Sequence, residues 1–348
     1  MEPRFPLSVA GAAIAMLAIS TLRSAHASDD YRISGPYSHG NLAIYLIHGA
    51  SVPGPVPLTL EEALAKGAVR VRETGQVNEL ELENLGNEEV FVQSGDIVKG
   101  GQQDRVLMVS LVVPPHSGRV PISSYCVEQG RWTARGAEDP NRFASAHTAV
   151  PSREVKMAMK APIGHDASQP YSASTASRQS QVWNDVAQIQ NNLSISLGAA
   201  VASPQSRSSL QLTLENSKLK AAQADYVAAL RSAGESEPDI IGYAFAINDK
   251  LNSADIFSSN GLFRKMWPKL LTAAATEALA AKTSDPETMP PTTNGVTEFL
   301  EAATAGKPSE ATIGRNVILE TRESDGALSF ETRRATTGDW VHRNYLAR

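Results

Sequence analysis

Two short polar runs carry most of the chemistry this sequence offers: Gln102-Gln103-Asp104-Arg105 and Glu128-Gln129-Gly130-Arg131-Trp132. Between them lie an apolar segment, Val106 to Val113, the turn Pro114-Pro115-His116-Ser117-Gly118, and a second extended segment, Val120 to Val127. A hairpin centred near His116 sets Cys126 opposite Val106 and Glu128 opposite Asp104. Carboxylates placed opposite each other repel unless cations or a proton intervene. Arg105 and Arg131 supply those cations. The group is then either a solvated salt-bridge network closing a sheet or a polar pocket with an aromatic wall, suited to a small polar ligand. On the second reading the ligand-facing residues are Gln102, Asp104, Arg105, Glu128, Arg131 and Trp132, with each arginine pairing to ligand or carboxylate and Trp132 stacking.

The chain has one cysteine, Cys126, and seven histidines. A Cys126–His116 dyad fails on geometry: with His116 in the turn, about eight strand residues at ~3.3 Å each separate the two by roughly 25 Å. A nucleophile and its base must nearly touch. Cys126 reads as a small buried hydrophobe, with a reactive thiol as the alternative. The sequence has no G-x-G-x-x-G, phosphate loop, G-x-S-x-G or H-E-x-x-H, and no histidine pair has metal-ligand spacing, so no cofactor or metal is expected.

The elements that must hold these residues follow from periodicity. Asn41 to His48, Val69 to Arg72, Val77 to Glu83 and Val90 to Val92 read as strands, and Thr59 caps a short helix. Ser94-Gly95-Asp96 and Gly100-Gly101 are turns, and Val106 to Val113 is a single central strand. Pro121 puts an edge or bulge into the next one. Residues 133–152 read as loop and Val155 to Met159 as a strand. Helical stripes run through Val182 to Leu193, Leu219 to Leu230 and Leu262 to Ala274, the last with Pro268 kinking it or starting a new helix. Ile240 to Phe257 is a hairpin, Val296 to Ala303 a short helix, residues 311–320 and 327–334 a late strand pair, and Trp340 to Tyr345 a closing strand. Strands first, helices later, then strands again give an α+β fold: a mainly antiparallel sheet or sandwich core with several packed helices in the second half.

A net charge of −5 without any basic block excludes nucleic acid and anionic membrane surfaces as expected partners. Arg4, the apolar stretch Leu7 to Leu22 and the Ala25/Ala27 pair before Ser28 have the form of a cleaved export signal, residues 1–27. The stretch is short for the ~20 residues a bilayer span needs. Residues 28–40 read as a flexible mature N-terminus, followed by one domain over 41–346 with polar inserts near 164–181 and 194–209.

The segments VQSGDIVKGGQQDRVL, VPPHS and CVEQGRW, with the later GYAFAINDKLNSADIFSSNGLFRKMWPKLL and WVHRNYL, resemble the ARG and rhodanese-phosphatase-superfamily-associated protein domain. The resemblance covers roughly residues 41–346 and implies a single domain, in a family similar to domains of prokaryotic conflict and sensing contexts; it implies no particular activity. The export signal sets this chain apart from a cytoplasmic defence role. Taken together, the sequence predicts an exported, periplasmic or secreted protein that binds a small polar ligand or acts as a sensor without catalysis. The competing expectations are a hydrolase-type enzyme using Asp104 and Glu128 or the Cys126 thiol, and a purely structural envelope protein.

Overall fold

The computed structural model describes residues 31–131, 133, 135, 139, 142–160, 173–283, 289–313 and 316–348. The export signal, Trp132 and residues 164–172 of the insert lie outside the described residues, and the rest of that insert, from residue 173, opens a helix.

In chain order the elements are β1 (Arg32–His39), β2 (Leu42–His48), β3 (Leu58–Thr59), α1 (Leu60–Ala65), β4 (Val69–Glu73), β5 (Glu79–Asn84), β6 (Val90–Val92), β7 (Asp96–Gly100), β8 (Arg105–Leu107), β9 (Leu111–Val113), β10 (Gly118–Cys126) and β11 (Phe143–Ala149). Then come α2 (Arg153–Lys160), α3 (Ala173–Ser196), α4 (Leu210–Leu214), α5 (Ser217–Leu230), β12 (Ile240–Ile247), β13 (Lys250–Phe257), α6 (Asn260–Ala280), α7 (Thr293–Thr304), β14 (Lys307–Ile313), β15 (Val317–Glu323), β16 (Ala327–Arg334) and β17 (Trp340–Ala347). The fold is α+β with a sheet-rich core.

The largest sheet has eight antiparallel strands in the order β1-β2-β12-β13-β17-β16-β15-β14. Its centre is apolar on both faces because helices cover both. Leu42, Ile44, Leu46, Tyr243 and Phe245 pack into the main core with Phe263 and Trp267 of α6. The alternate residues Ala43, Tyr45, Ile47, Ala244 and Ala246 pack with Val296 and Leu300 of α7. A strand buried on both sides shows no alternation, which is why Asn41 to His48 reads as a continuous apolar run. A six-stranded sheet, β11-β7-β8-β10-β5-β4, and a three-stranded one, β3-β6-β9, share the main core. The Thr59 cap forms as expected: its hydroxyl accepts from the Glu62 N–H while Glu62 accepts from the Thr59 N–H, a reciprocal capping box. Helix α6 continues through Pro268 instead of restarting there.

Several expectations give way. Val106 to Val113 is two strands, not one. The chain leaves the six-stranded sheet after Leu107 and joins the three-stranded sheet at Leu111, with Met108 to Ser110 between. An apolar run is equally suited to either sheet, so periodicity cannot reveal the change of partner. The N-terminal stretch 28–40 holds β1, an edge strand whose polar side chains face out while its backbone pairs with β2. The loop read at 133–152 contains β11, and Val155 to Met159 lies in α2, where Val155 and Met159 are four apart on one buried face. Residues 311–320 contribute to two strands, β14 and β15. Pro121 sits in the half of β10 that pairs only with β5, so the missing N–H costs no ladder bond to β8.

Candidate functional site

The expected hairpin forms only at its far end: β9 and β10, joined by the Pro114-Pro115 turn, lie in different sheets, but β8 pairs with β10 one residue off the symmetric register, with Cys126 opposite Arg105 and Tyr125, not Cys126, opposite Val106. The Val127 N–H then donates to the Asp104 carbonyl at 3.1 Å, bringing the two polar runs together. The turn ahead of Asp104 depends on glycine: Gly100 has φ +122°, and a Cβ there would lie 2.4 Å from the Arg142 carbonyl oxygen. That turn aims the Gly100 N–H at Asp104 Oδ1, 3.0 Å away.

Both carboxylates are buried and already matched by cations. Arg135 Nη2 lies 2.9 Å from each oxygen of Asp104, Arg131 Nη2 is 3.4 Å from Oδ1, and the Ser209 hydroxyl donates to Oδ2 at 3.2 Å. Arg131 Nε donates to Glu128 Oε2 at 2.6 Å, with Arg135 Nη1 4.0 Å from Oε1. Arg105, fully buried, reaches Glu73 at 3.3 Å and the Gln103 side-chain oxygen at 3.2 Å. Burial pushes the Asp104 carboxyl up, opposed by Arg135 and the Gly100 N–H, while the neighbouring Glu128 adds to the rise. Gln102 turns to solvent, contributing only its backbone N–H to Glu73, and Trp132 lies outside the described residues. Arg135, Glu73 and Ser209 join from segments that no local sequence pattern links to the two polar runs. Chemically, the arrangement ties Arg131, Arg135 and the start of α4 to the paired ends of β8 and β10.

Cys126 is buried, its Sγ 4.0 Å from the Val77 carbonyl. Burial pushes the thiol up to about 11, which favours the protonated form at neutral pH.

A different place gathers reactive groups. On the eight-stranded sheet, the register aligns Ser309, Thr321, Phe330, Asn344 and Asp255 in one row, and Ala311, Leu319, Thr332, His342 and Phe257 in the next. Residues two apart on a strand share a face. His342 and Asn344 therefore face the same way, and His342 stands diagonally across from Asp255. Over this face passes the Met108 to Ser110 segment, where the chain changes sheets. His342 Nε2 lies 3.0 Å from Asp255 Oδ1, and its Nδ1 3.0 Å from the Ser110 hydroxyl oxygen. Asn344 donates to the same Asp255 oxygen at 2.9 Å and Gln93 at 3.4 Å. The Ser94 N–H donates to the Ser110 oxygen at 2.9 Å. The His342 ring packs on Phe257 and edge-on to Phe91, with centroids 4.8 and 5.6 Å away.

Ser110, His342, Asn344 and Thr332 line a cleft of about 560 Å³ between this face and the smaller sheets. Its walls are mostly apolar: Met108, Val109, Ile313, Leu319 and Phe330. Its outer side is the exposed edge strand β14, where Lys307, Pro308 and Glu310 guard against edge pairing.

Two further groups stand apart. His48, Glu237 and Asp239 form the one His/carboxylate group close enough to share an ion among the described residues. The Arg32 guanidinium already occupies the middle of it, 3.2 Å from Glu237, 3.1 Å from Asp239 and 2.8 Å from His48 Nδ1. The bond to His48 is the largest cause holding the Asp239 carboxyl below its usual range. A second cavity, about 440 Å³, is bordered by Glu277, Asn252 and Arg153. Glu277 accepts from the Arg153 N–H and the Asn252 amide, and burial pushes its carboxyl up.

The one signal for the cleft in the sequence is Ser110, the single polar residue of an apolar run. His342 is buried and packed against Phe257 and Phe91. Its partners on β13 and at Ser110 are far away in sequence, and no local pattern joins them.

Comparison with curated proteins and with solved structures gives no match. The family model for the ARG and Rhodanese-Phosphatase-superfamily-associated Protein domain matches residues 30–346, and the chain belongs to that family.

Proposed function

We propose that this family member is a ligand-binding or sensor domain whose site is the cleft over Ser110, His342 and Asn344. The observation that carries the reading is the combination of size, wall and floor. About 560 Å³ suits a small molecule, seven apolar residues line it, and a few buried polar groups converge at its base. The ligand this favours is small and partly apolar, with one polar end directed at Ser110 and Asn344. The hairpin end supports binding less well, because Arg131 and Arg135 are engaged by Asp104 and Glu128. A hydrolase built on those carboxylates or on Cys126 has less support for the same reason and because the thiol is held protonated.

The test is a fragment library of short aliphatic and aromatic esters, amides and carboxylates, followed by thermal shift on the wild type and on Ala311→Trp. Ala311 lies on the exposed edge strand and lines the cleft, so the indole fills the space without entering the core. Stabilisation of the wild type that disappears in Ala311→Trp is the expected result. Equal shifts in both proteins place the ligand elsewhere.

Export belongs to the same proposal and rests on the pattern of residues 1–27. A mature chain beginning at Ser28 supports it, and a cell-associated chain beginning at Met1 opposes it.

A further inference from the structure

We propose that Ser110 is an acyl-transfer nucleophile, with His342 as its general base and Asp255 as the carboxylate that orients the base, acting on a carboxylic ester held in the cleft. This rests on the cleft being the ligand site and adds a reaction to it. With His342 neutral and Asp255 ionised, the hydrogen bonds set the proton positions. Asp255 only accepts, so the ring proton of His342 sits on Nε2 and points at Oδ1. Nδ1 then carries the lone pair, and the Ser110 hydroxyl 3.0 Å away donates to it. That is the hydrogen-bonded chain a serine nucleophile needs. The imidazole is turned round relative to the usual hydrolase arrangement, where the carboxylate holds Nδ1, but either ring nitrogen can act as the base. The donors from Asn344 and Gln93 hold Asp255 in place, and the aromatic contacts of Phe257 and Phe91 hold the ring. All three members are nearly sealed from bulk water, at 4, 1 and 2% exposure, while Ser110 and His342 line the cleft.

The reaction balances without an outside oxidant or metal. Ser110 Oγ attacks the ester carbonyl carbon while its proton passes to His342 Nδ1. The tetrahedral adduct collapses, the carbon–oxygen bond to the leaving alcohol breaks, and that oxygen takes the proton from His342. Water then attacks the Ser110 ester with His342 again accepting a proton. Collapse releases the acid, and the proton returns to Ser110. The apolar wall formed by Met108, Leu319 and Phe330 selects an acyl group of hydrocarbon character.

The molecule contains its own comparison. The Ser34 hydroxyl lies 2.8 Å from His48 Nε2, with Asp239 2.9 Å from Nδ1. There, however, Arg32 competes for Nδ1 at 2.8 Å, and Asp239 and Arg32 are about half exposed. A shared proton inventory and open water make that group a surface hydrogen-bond cluster.

The test treats the folded full chain with a fluorophosphonate probe, which a nucleophilic serine attacks with loss of fluoride. The expected result is one phosphonyl adduct, mapped by peptide mass spectrometry to Ser110. It is absent in Ser110→Ala and forms at least ~100-fold more slowly in His342→Gln, as removal of a general base requires. Labelling that also slows in Ala311→Trp places the reactive serine in the cleft. A purely structural role for the relay leaves the wild type unlabelled. An unlabelled wild type, or an adduct on Ser34 or any other residue, overturns the proposal. If Ser110→Ala does not fold, the position of the wild-type adduct decides alone. Fragments that bind the cleft while Ser110 stays unlabelled end the chemistry but leave the binding site. An adduct on Ser110 unaffected by Ala311→Trp ends the cleft assignment instead.

Discussion

Removing Arg135 separates the two readings of the hairpin-end cluster. Its guanidinium makes two 2.9 Å contacts to Asp104, which has no solvent exposure, and its own side chain is only 8% exposed. Breaking a buried ion pair by deleting one partner costs about 3–5 kcal/mol, because the remaining charge is left without its match. Arg131, 3.4 Å away, and the Gly100 N–H still serve Asp104, so Arg135→Ala belongs at the lower end, about 3 kcal/mol. At roughly 2–3 °C per kcal/mol for a chain of this size, that is a fall in Tm on the order of 6–9 °C. Asp104→Asn has a comparable effect, and the double variant loses less than the sum, with a coupling of about 1–2 kcal/mol. Urea unfolding of the four proteins, followed by tryptophan fluorescence, measures this cycle. If the arginine instead faced solvent and an external ligand, Arg135→Ala would stay within about 0.5 kcal/mol of wild type. Additive effects or a neutral Arg135→Ala would refute the account of this cluster as internal cross-bracing.

Glu277 has its carboxyl raised above 4.5 by burial, so its folded pKa exceeds its unfolded one. Its contribution is therefore complete below pH 4.5 and is lost as pH rises through the folded value. Thermal melts should show Glu277→Gln gaining on wild type between pH 4.5 and pH 8; a gap that narrows with pH contradicts this. Cys126, with its thiol at about 11 and fully buried, should not react with a disulfide reagent in the native protein at pH 8 and should react promptly in guanidinium. Rapid native labelling would show that the strand around it opens.

Much of the fold could be read from local pattern, and the misses share one cause. The Thr59 cap, the 240–257 hairpin and the α6 stripe depend on neighbours in sequence, and each formed. The Asp104 and Glu128 runs met because β8 and β10 pair, although the turn between them joins strands of different sheets. Val106 to Val113 misled because an apolar run says it is buried without saying in which sheet. β1 was missed because an edge strand needs backbone pairing, not apolar side chains, and its sequence is polar with Gly35 and Pro36. The cleft was invisible for a related reason. Asp255 and His342 become diagonal neighbours only once β13 and β17 pair, and Ser110 joins them only because the chain changes sheets at that residue. Arg135 came from a stretch with no periodicity, so nothing marked it as the partner of Asp104.

The central claim is that small molecules bind over Ser110 and not at the hairpin end. Crystals of the full chain soaked with short-chain esters and carboxylates test it most directly. The account predicts density between Phe330 and Ser110, with the polar end of the fragment toward Asn344. Density against Arg131 and Asp104, with the cleft empty in every soak, would contradict it.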